Sequence, residues 1–266
     1  DYIIKWYGPK RKDHFSDLLL LSTQEDLNDA DRKKIEAFIT DLNYPAIARA
    51  TAIDNLNYDH AEQLGALLPT LNDASPIVRY TALMEFRRTA PQQRQEQAVK
   101  ATNDPTRLVR IGAAQLAVGL DLNTLPAGEQ AALKKSQSEL ETMIYTNADF
   151  ATGRLQLGDY YLQNNDLKTA IKHYNMAINL DSLLLPVYSN LASAYSLNGE
   201  NEKALQTLNT YVRFDPASAR PYFLRALVYF EMNQKESAVN DLIKATQLDR
   251  KDPRIKYNLA TYYFQE

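Results

Sequence analysis

The chain has 266 residues, of which 45% are apolar and 24% charged, and its formal net charge is −3. Charges of both signs are mixed along it, so it lacks the basic signature of nucleic-acid binding. Its apolar runs are also too short to insert into a membrane. There is no cysteine, which excludes disulfides, thiolate metal sites, thiol nucleophiles and thioether-linked haem on this chain. Because it starts without methionine and its last repeat stops halfway, we expect a fragment of a longer protein.

Residues 1–28 match no repeat and are predicted to form an N-terminal extension. The Trp-Tyr-Gly-Pro run at residues 6–9 is typical of a turn, and residues 14–21 of a short helix. The basic residues between positions 5 and 12 are few and are followed by Asp13, which favours a solvated loop over a docking site for phosphate or an acidic partner.

A loose repeat occupies residues 29–148. Arginines recur 30 and 31 residues apart, each six residues after a short polar side chain and shortly after a proline. The arginines are Arg49, Arg79 and Arg110, and the polar residues are Asn43, Asp73 and Asp104. Helices are predicted over residues 59–71, 76–89, 92–102, 106–119 and 128–145. The recurrence in register argues against catalytic carboxylates, because a catalytic pair need occur only once.

This pattern resembles HEAT-like repeats. The resemblance implies that the Asp and Arg side chains pair along the stack, in a ladder that joins one repeat to the next.

A stricter repeat of 34 residues occupies residues 149–266. Counted from residue 151, it gives three full units and a half, each with two apolar-periodic segments separated by a polar turn near residues 164–166, 198–200 and 233–235. The recurring residues are Tyr161, Tyr195, Tyr229 and Tyr263, followed by Ala170, Ala204 and Ala238. Small residues such as Gly158 and Ala177 fall where paired helices must approach closely.

This second pattern resembles the tetratricopeptide repeat family. The two halves together predict an all-α, right-handed α-solenoid in which HEAT-like repeats are followed by a tetratricopeptide superhelix. We expect the two repeat types to pack end to end.

The tetratricopeptide resemblance implies a concave groove lined by the first helix of each repeat, which holds a protein or peptide ligand. The residues predicted to line this partner-binding groove are Leu155, Asp159, Ser189, Ser193, Phe223, Leu227, Phe230, Tyr257 and Phe264. Leu155 and Asp159 stand where the family's clamp for acidic chaperone C-termini has Lys and Asn, so that ligand is not expected. Apolar residues of the groove recur at helical spacing, and packing against another part of the chain is the alternative to partner binding.

The whole arrangement resembles the C-terminal part of large exported multihaem c-type cytochromes. This implies a periplasmic or extracellular location, with a cytoplasmic location as the alternative, and a haem-binding domain upstream or on a partner. No cofactor is expected in this chain. His14 is either an axial ligand to such a haem or an ordinary helix-start residue, and His173 is expected to be solvated.

No histidine spacing of a zinc protease, no glycine-rich phosphate loop and no Gly-x-Ser-x-Gly elbow occurs in the sequence. We therefore predict a non-catalytic interaction or scaffold module, the partner-docking part of a multihaem electron-transfer protein. The alternatives are a scaffold unrelated to haem and an enzyme of the HEAT-repeat lyase type.

Overall fold

The computed structural model describes residues 15–24, 26–56 and 64–265, with side chains described up to residue 261. Within these ranges the secondary structure is helical and contains no strand, which confirms the predicted all-α class. The chain divides into two compact units, Asp1–Leu140 and Glu141–Glu266. The predicted domain limits after residues 28 and 148 remain predictions.

The described part of the N-terminal unit consists of helices joined by short turns. They are α1 (Ser16–Ser22), α2 (Asp29–Thr40), α3 (Ala46–Asn55), α4 (Pro76–Glu85), α5 (Pro91–Ala101), α6 (Arg107–Ala117) and α7 (Ala127–Tyr145), with 3-10 segments at Leu68–Asn72, Phe86–Arg88 and Leu122–Thr124. The division between the units falls within α7. Proline in the first turn starts α4 and α5, where its missing N–H removes no helical hydrogen bond.

Most of the predicted helices in this unit are present. Those expected over residues 92–102, 106–119 and 128–145 correspond to α5, α6 and α7. The one expected over residues 76–89 is α4 continued by a 3-10 turn, and the short N-terminal one is α1. The helix predicted over residues 59–71 falls partly outside the described residues and ends in a 3-10 segment. His14 and the basic residues before it also lie outside.

Buried arginine–carboxylate pairs join successive repeats of the N-terminal unit. Arg49 donates to both carboxylate oxygens of Asp73, and Arg79 donates to both of Asp104, with Nε–Oδ2 and Nη2–Oδ1 distances of 2.7 and 2.8 Å. Within its own repeat, Arg79 instead donates to the main-chain carbonyl of Asp73, at 2.7 Å. The predicted ladder between repeats is thereby confirmed.

A third rung was not predicted, because its acid does not precede a proline. Arg110 donates through Nη2 to Glu139 Oε1 of α7 at 2.8 Å. We call the three pairs Arg49–Asp73, Arg79–Asp104 and Arg110–Glu139 the arginine ladder.

The ladder carboxylates of Asp73 and Asp104 are held in their charged form. Burial alone would raise the pKa of Asp104, but hydrogen bonds from Arg79 and from the main-chain N–H of Thr106 outweigh burial and lower that pKa below its ordinary value. The pKa of Asp73 is lowered by the same balance, with Arg49 and the N–H of Ser75 as donors. Both acids therefore stabilise the fold above the pKa of an unfolded aspartate, near pH 4, and this stabilisation is lost as the pH falls through their folded values.

We predict that Arg79→Ala lowers the free energy of unfolding by about 3 kcal/mol at pH 7, because it leaves Asp104 buried without its partner. The difference from the parent should shrink as the pH falls below about 4 and through the lowered pKa of Asp104 in the folded parent. Urea unfolding across this pH range measures both effects. Lys34→Ala, which removes an exposed ion pair with Asp31, is the control and should change stability by less than about 0.5 kcal/mol. An Arg79→Ala protein as stable as the control would contradict a structural role for the ladder.

The C-terminal unit is a series of antiparallel helix pairs. Its described helices are α8 (Ala151–Gln163), α9 (Leu167–Leu180), α10 (Pro186–Leu197), α11 (Asn201–Phe214), α12 (Ala219–Glu231), α13 (Lys235–Leu248) and α14 (Pro253–Gln265). Residue 151 starts α8 and the three full units follow at 34 residues, as the sequence predicts.

The turn inside each pair has the same geometry in all three full repeats. The fifteenth residue adopts the left-handed conformation, with φ of 60° at Asn165, 77° at Gly199 and 59° at Asn233. Glycine and asparagine tolerate this region best, which explains why these residues occur there. The next residue donates its N–H back to the carbonyl of the recurring tyrosine in three bonds: Asp166 to Tyr161 at 2.9 Å, Glu200 to Tyr195 at 2.8 Å and Gln234 to Tyr229 at 2.8 Å.

The first helix pair packs closely because Gly158 has no side chain. A Cβ placed there would overlap the ring of Tyr174, which is fully buried in α9 beside Ala170 and Ala177. The small residue predicted at this helix contact therefore has a specific steric reason.

We predict that Gly158→Ala destabilises the C-terminal unit by about 2 kcal/mol, because the Tyr174 ring has to move out of a packed position. Gly128→Ala is the matched control, since it makes the same change in α7 where no atom lies within 4 Å of the added methyl group. The control should leave stability unchanged or raise it by up to about 1 kcal/mol. Thermal unfolding followed by circular dichroism compares them, and equal melting of both variants would disprove the close contact.

The prediction that His173 is solvated is wrong. Its side chain is 3% exposed, stacked on Tyr161 with ring centroids 5.4 Å apart and covered by Tyr145 from the end of α7. Tyr145 Oη lies 3.2 Å from Nε2, and Arg154 Nη1 lies 3.4 Å from Nδ1. The repeat frame places this position outward, but Tyr145, which precedes the first repeat, packs over it.

Burial lowers the pKa of His173, and the nearby charges of Arg154 and Lys172 lower it further. The folded state thus favours the neutral ring, and this stabilisation is complete above the unfolded pKa of about 6.5 and is lost as the pH falls below it. We predict that the parent loses on the order of 1 kcal/mol more stability than His173→Gln between pH 7.5 and 5.5. Urea titrations at the two pH values measure this, and parallel losses in both proteins would contradict a buried neutral histidine.

Candidate functional site

The candidate groove is formed by α8, α10, α12 and α14, the first helices of the C-terminal repeats. Their fifth positions are Leu155, Ser189, Phe223 and Tyr257, and their ninth positions are Asp159, Ser193, Leu227 and Thr261. From the second repeat onward the fifth position changes from serine to aromatic residues, whereas the first repeat has Leu155 there and the last has Thr261 at its ninth position.

At the start of the groove, Asp159 connects three helices. It accepts hydrogen bonds from Tyr174 Oη of α9 at 2.8 Å and from Asn190 Nδ2 of α10 at 2.7 Å. Leu155 is half-buried against the core of the first repeat. Asp159 therefore has a structural role, and its half-buried carboxylate also gives this end of the groove acceptor character.

In the second repeat the serines bond to neighbouring groups. Ser189 is 1% exposed and its hydroxyl oxygen accepts a hydrogen bond from Arg220 Nε at 3.0 Å. Ser193 donates to the main-chain carbonyl of Ser189 at 3.0 Å, and Ser196 donates to Glu231. Ser189 thus offers no free surface, whereas Arg220 lies exposed above it.

The last repeats carry what we call the apolar stripe: Phe223, Leu227, Phe230 and Tyr257. The first three lie on one face of α12 at spacings of four and three residues and are half-buried, and Phe223 and Phe230 lean on the core around Leu242. Tyr257 is 72% exposed. The side chain of Phe264 lies outside the described part of the chain.

Charged groups border the stripe. The guanidinium of Arg254 lies 6.0 Å from the centroid of the Phe223 ring and is paired with Asp252 at 2.6 Å. A cavity of about 430 Å³ opens between these residues, with Arg220 at its edge. The site thus combines apolar rings with arginines on either side.

Arg225 departs from the repeat pattern, and an ion pair compensates for its charge. Arg225 occupies a position where the family has leucine, and its guanidinium donates to both oxygens of Asp241 at 2.7 and 2.8 Å and to Asn209 at 2.6 Å. The pair keeps the third repeat folded with a charged residue at its helix contact.

Neither a metal site nor a membrane span is found among the described residues. No group of three histidine, aspartate or glutamate side chains is placed to hold a metal ion. No helix in the described ranges is both long and apolar enough to cross a bilayer.

The C-terminal unit matches the tetratricopeptide repeat model at residues 151–182, 185–218 and 219–252. This part of the chain contains tetratricopeptide repeats. The chain is 28% identical over 106 residues to the Hsp70-Hsp90 organizing protein of Triticum aestivum, covering 40% of this chain and 18% of that protein. It is 30% identical over 90 residues to stress-induced-phosphoprotein 1 of Caenorhabditis elegans, covering 34% of this chain and 28% of that protein. The match thus spans less than a third of either relative.

Among solved structures, the first TPR of Spaghetti (RPAP3) bound to the HSP90 peptide SRMEEVD is similar, with 20% identity and a TM-score of 0.41. The alignment covers 43% of this chain and 91% of that one.

Proposed function

We propose that the C-terminal repeats are a non-catalytic protein-interaction module, which holds an apolar segment of a partner protein against the apolar stripe. The observation that carries this proposal is Tyr257. It is 72% exposed at the groove position where Phe223 is half-buried and Ser189 is buried. Successive repeats therefore offer increasing aromatic surface to a ligand in the groove.

The energetics favour such a contact. Each aromatic side chain that a partner buries completely contributes roughly 1.5–3 kcal/mol, and the half-buried rings contribute only the part still exposed. Phe223 and Phe230 already lean on the core, so they are held in place before binding. A preorganised surface lowers the entropy cost of association.

The groove does not favour the acidic peptide type represented by SRMEEVD. Asp159 presents a carboxylate and Leu155 an apolar side chain at the start of the groove, where a family member of that type has Lys and Asn. Like charges facing each other reduce affinity. We therefore expect an apolar rather than an acidic ligand, although relatives of this chain are named as organisers of the Hsp70 and Hsp90 chaperones.

The test uses 20-residue peptides selected from a random displayed library on the intact chain. We predict that Tyr257→Ser, and separately the double variant Phe223→Gln with Phe230→Gln, weaken selected peptides at least tenfold by fluorescence anisotropy. Leu183→Ser is the matched control, because Leu183 is 67% exposed but lies in the loop between α9 and α10. It should leave affinity unchanged, and SRMEEVD should bind the parent no better than a scrambled peptide.

Other results would reject the proposal. If the double variant loses helical content and Tyr257→Ser still binds every peptide, the stripe belongs to the core. If all variants fold and bind like the parent, the ligand occupies another surface.

The wider context remains a proposal that rests on sequence resemblance. The arginine ladder supports HEAT-like repeats for residues 29–148, and the order of segments supports the partner-docking part of an exported multihaem electron-transfer protein. Cys-x-x-Cys-His motifs in the upstream coding sequence and a haem absorption spectrum of the full gene product would support this context. An upstream sequence without them would favour the haem-unrelated scaffold.

A further inference from the structure

The carboxylate of Asp159 faces no basic side chain among the described residues, although it is half-buried at the start of the groove. Both hydrogen bonds that hold it end on the same oxygen: Oδ1 accepts from Tyr174 Oη at 2.8 Å and from Asn190 Nδ2 at 2.7 Å. The other oxygen, Oδ2, has no partner in the described part of the chain and is not enclosed. Asp159 therefore keeps one accessible acceptor and one uncompensated charge.

This arrangement favours a particular kind of donor. Tyr174 of α9 and Asn190 of α10 fix the carboxylate before any ligand arrives, which lowers the entropy cost of binding. A ligand that removes water from a carboxylate must supply an opposite charge in exchange. An ammonium group can donate to a single open oxygen, whereas the planar fork of arginine is matched to two. The open oxygen of Asp159 therefore suits a lysine.

The other charges of the groove decide where a lysine can lie. Glu231, at the end of α12, is exposed and has the same sign as Asp159. Arg220, at the start of α12, has the opposite sign and lies exposed beside the stripe, whereas Arg254 is already paired with an acid. A lysine is repelled near Arg220 and attracted near Asp159. The positive part of a ligand therefore belongs at the first repeat, and its apolar part at the third and fourth.

The repeat geometry gives the spacing between these two parts. Asp159 and Leu227 of the apolar stripe occupy the same position of α8 and α12, and α10 packs between these helices. Packed helix axes lie about 8–10 Å apart, so the two side chains are separated by roughly 20 Å. An extended chain rises about 3.3 Å per residue and covers this distance in about six residues.

We propose that the partner segment held by the apolar stripe carries a lysine that pairs with Asp159, about six residues away from its apolar side chains. This inference rests on the proposed function, because it describes the same ligand in the same groove. It adds the charge of the ligand and the position of that charge.

The experiment uses the 20-residue peptides selected on the intact chain, with each lysine replaced in turn by norleucine, which keeps most of the apolar stem. On the parent chain one replacement should weaken binding about tenfold, and less at high salt. Asp159→Asn removes the charge but keeps an oxygen for Tyr174 and Asn190, so there the same replacement should change affinity less than about twofold. Asp149→Asn, at an exposed position in the turn before α8, is the matched control and should behave like the parent.

The inference fails if no single lysine replacement weakens a selected peptide, or if the loss is the same in Asp159→Asn as in the parent. The double variant Phe223→Gln with Phe230→Gln tests the proposed function separately: weaker binding keeps the stripe as the site, and unchanged binding rejects it. If Asp159→Asn does not fold, the 13C resonance of the Asp159 carboxyl group in the labelled parent decides. A shift with the lysine peptide and none with its norleucine copy supports the pair, and an equal response to both overturns it.

Discussion

The N-terminal unit depends on the arginine ladder, because apolar contacts alone do not fix the register of one repeat against the next. Its core combines large side chains such as Phe38 and Leu83 with alanines such as Ala52 and Ala82, and apolar contacts of this kind are non-directional. A bidentate pair is directional, since a shift by one residue would separate two buried charges and leave both without partners. Each rung therefore fixes the register of one repeat against the next.

In the C-terminal unit, the positions of the helices are fixed by steric contacts. The Gly158–Tyr174 contact sets the distance between paired helices, and the left-handed residue after each first helix sets the turn. Its one buried charge pair at a helix contact among those described here, Arg225–Asp241, is local to a single repeat. The repeat period of this unit, and the residue types at its fixed positions, thus follow from backbone geometry. In the N-terminal unit the recurring residues are instead those that form the ion pairs of the arginine ladder.

This difference explains what could be predicted from the sequence. The 34-residue period was readable because asparagine, glycine and alanine are required by local geometry at fixed positions. The ladder rung Arg110–Glu139 could not be predicted from the sequence, because any acidic residue on the next helix can accept the hydrogen bonds of an arginine. The burial of His173 and Ser189 was also not predicted. His173 is covered by Tyr145 and Ser189 is bonded by Arg220, and neither contact follows from the position of the buried residue within its repeat. A repeat frame predicts which way a residue points, but its neighbours decide whether it is covered.

The two ends of the candidate groove would select ligands by different physics. The apolar stripe gains free energy from any apolar surface that fits, so it supplies affinity and discriminates weakly between ligands of similar shape. The start of the groove works in the opposite way, because the half-buried Asp159 carboxylate disfavours a ligand that faces it with a negative charge.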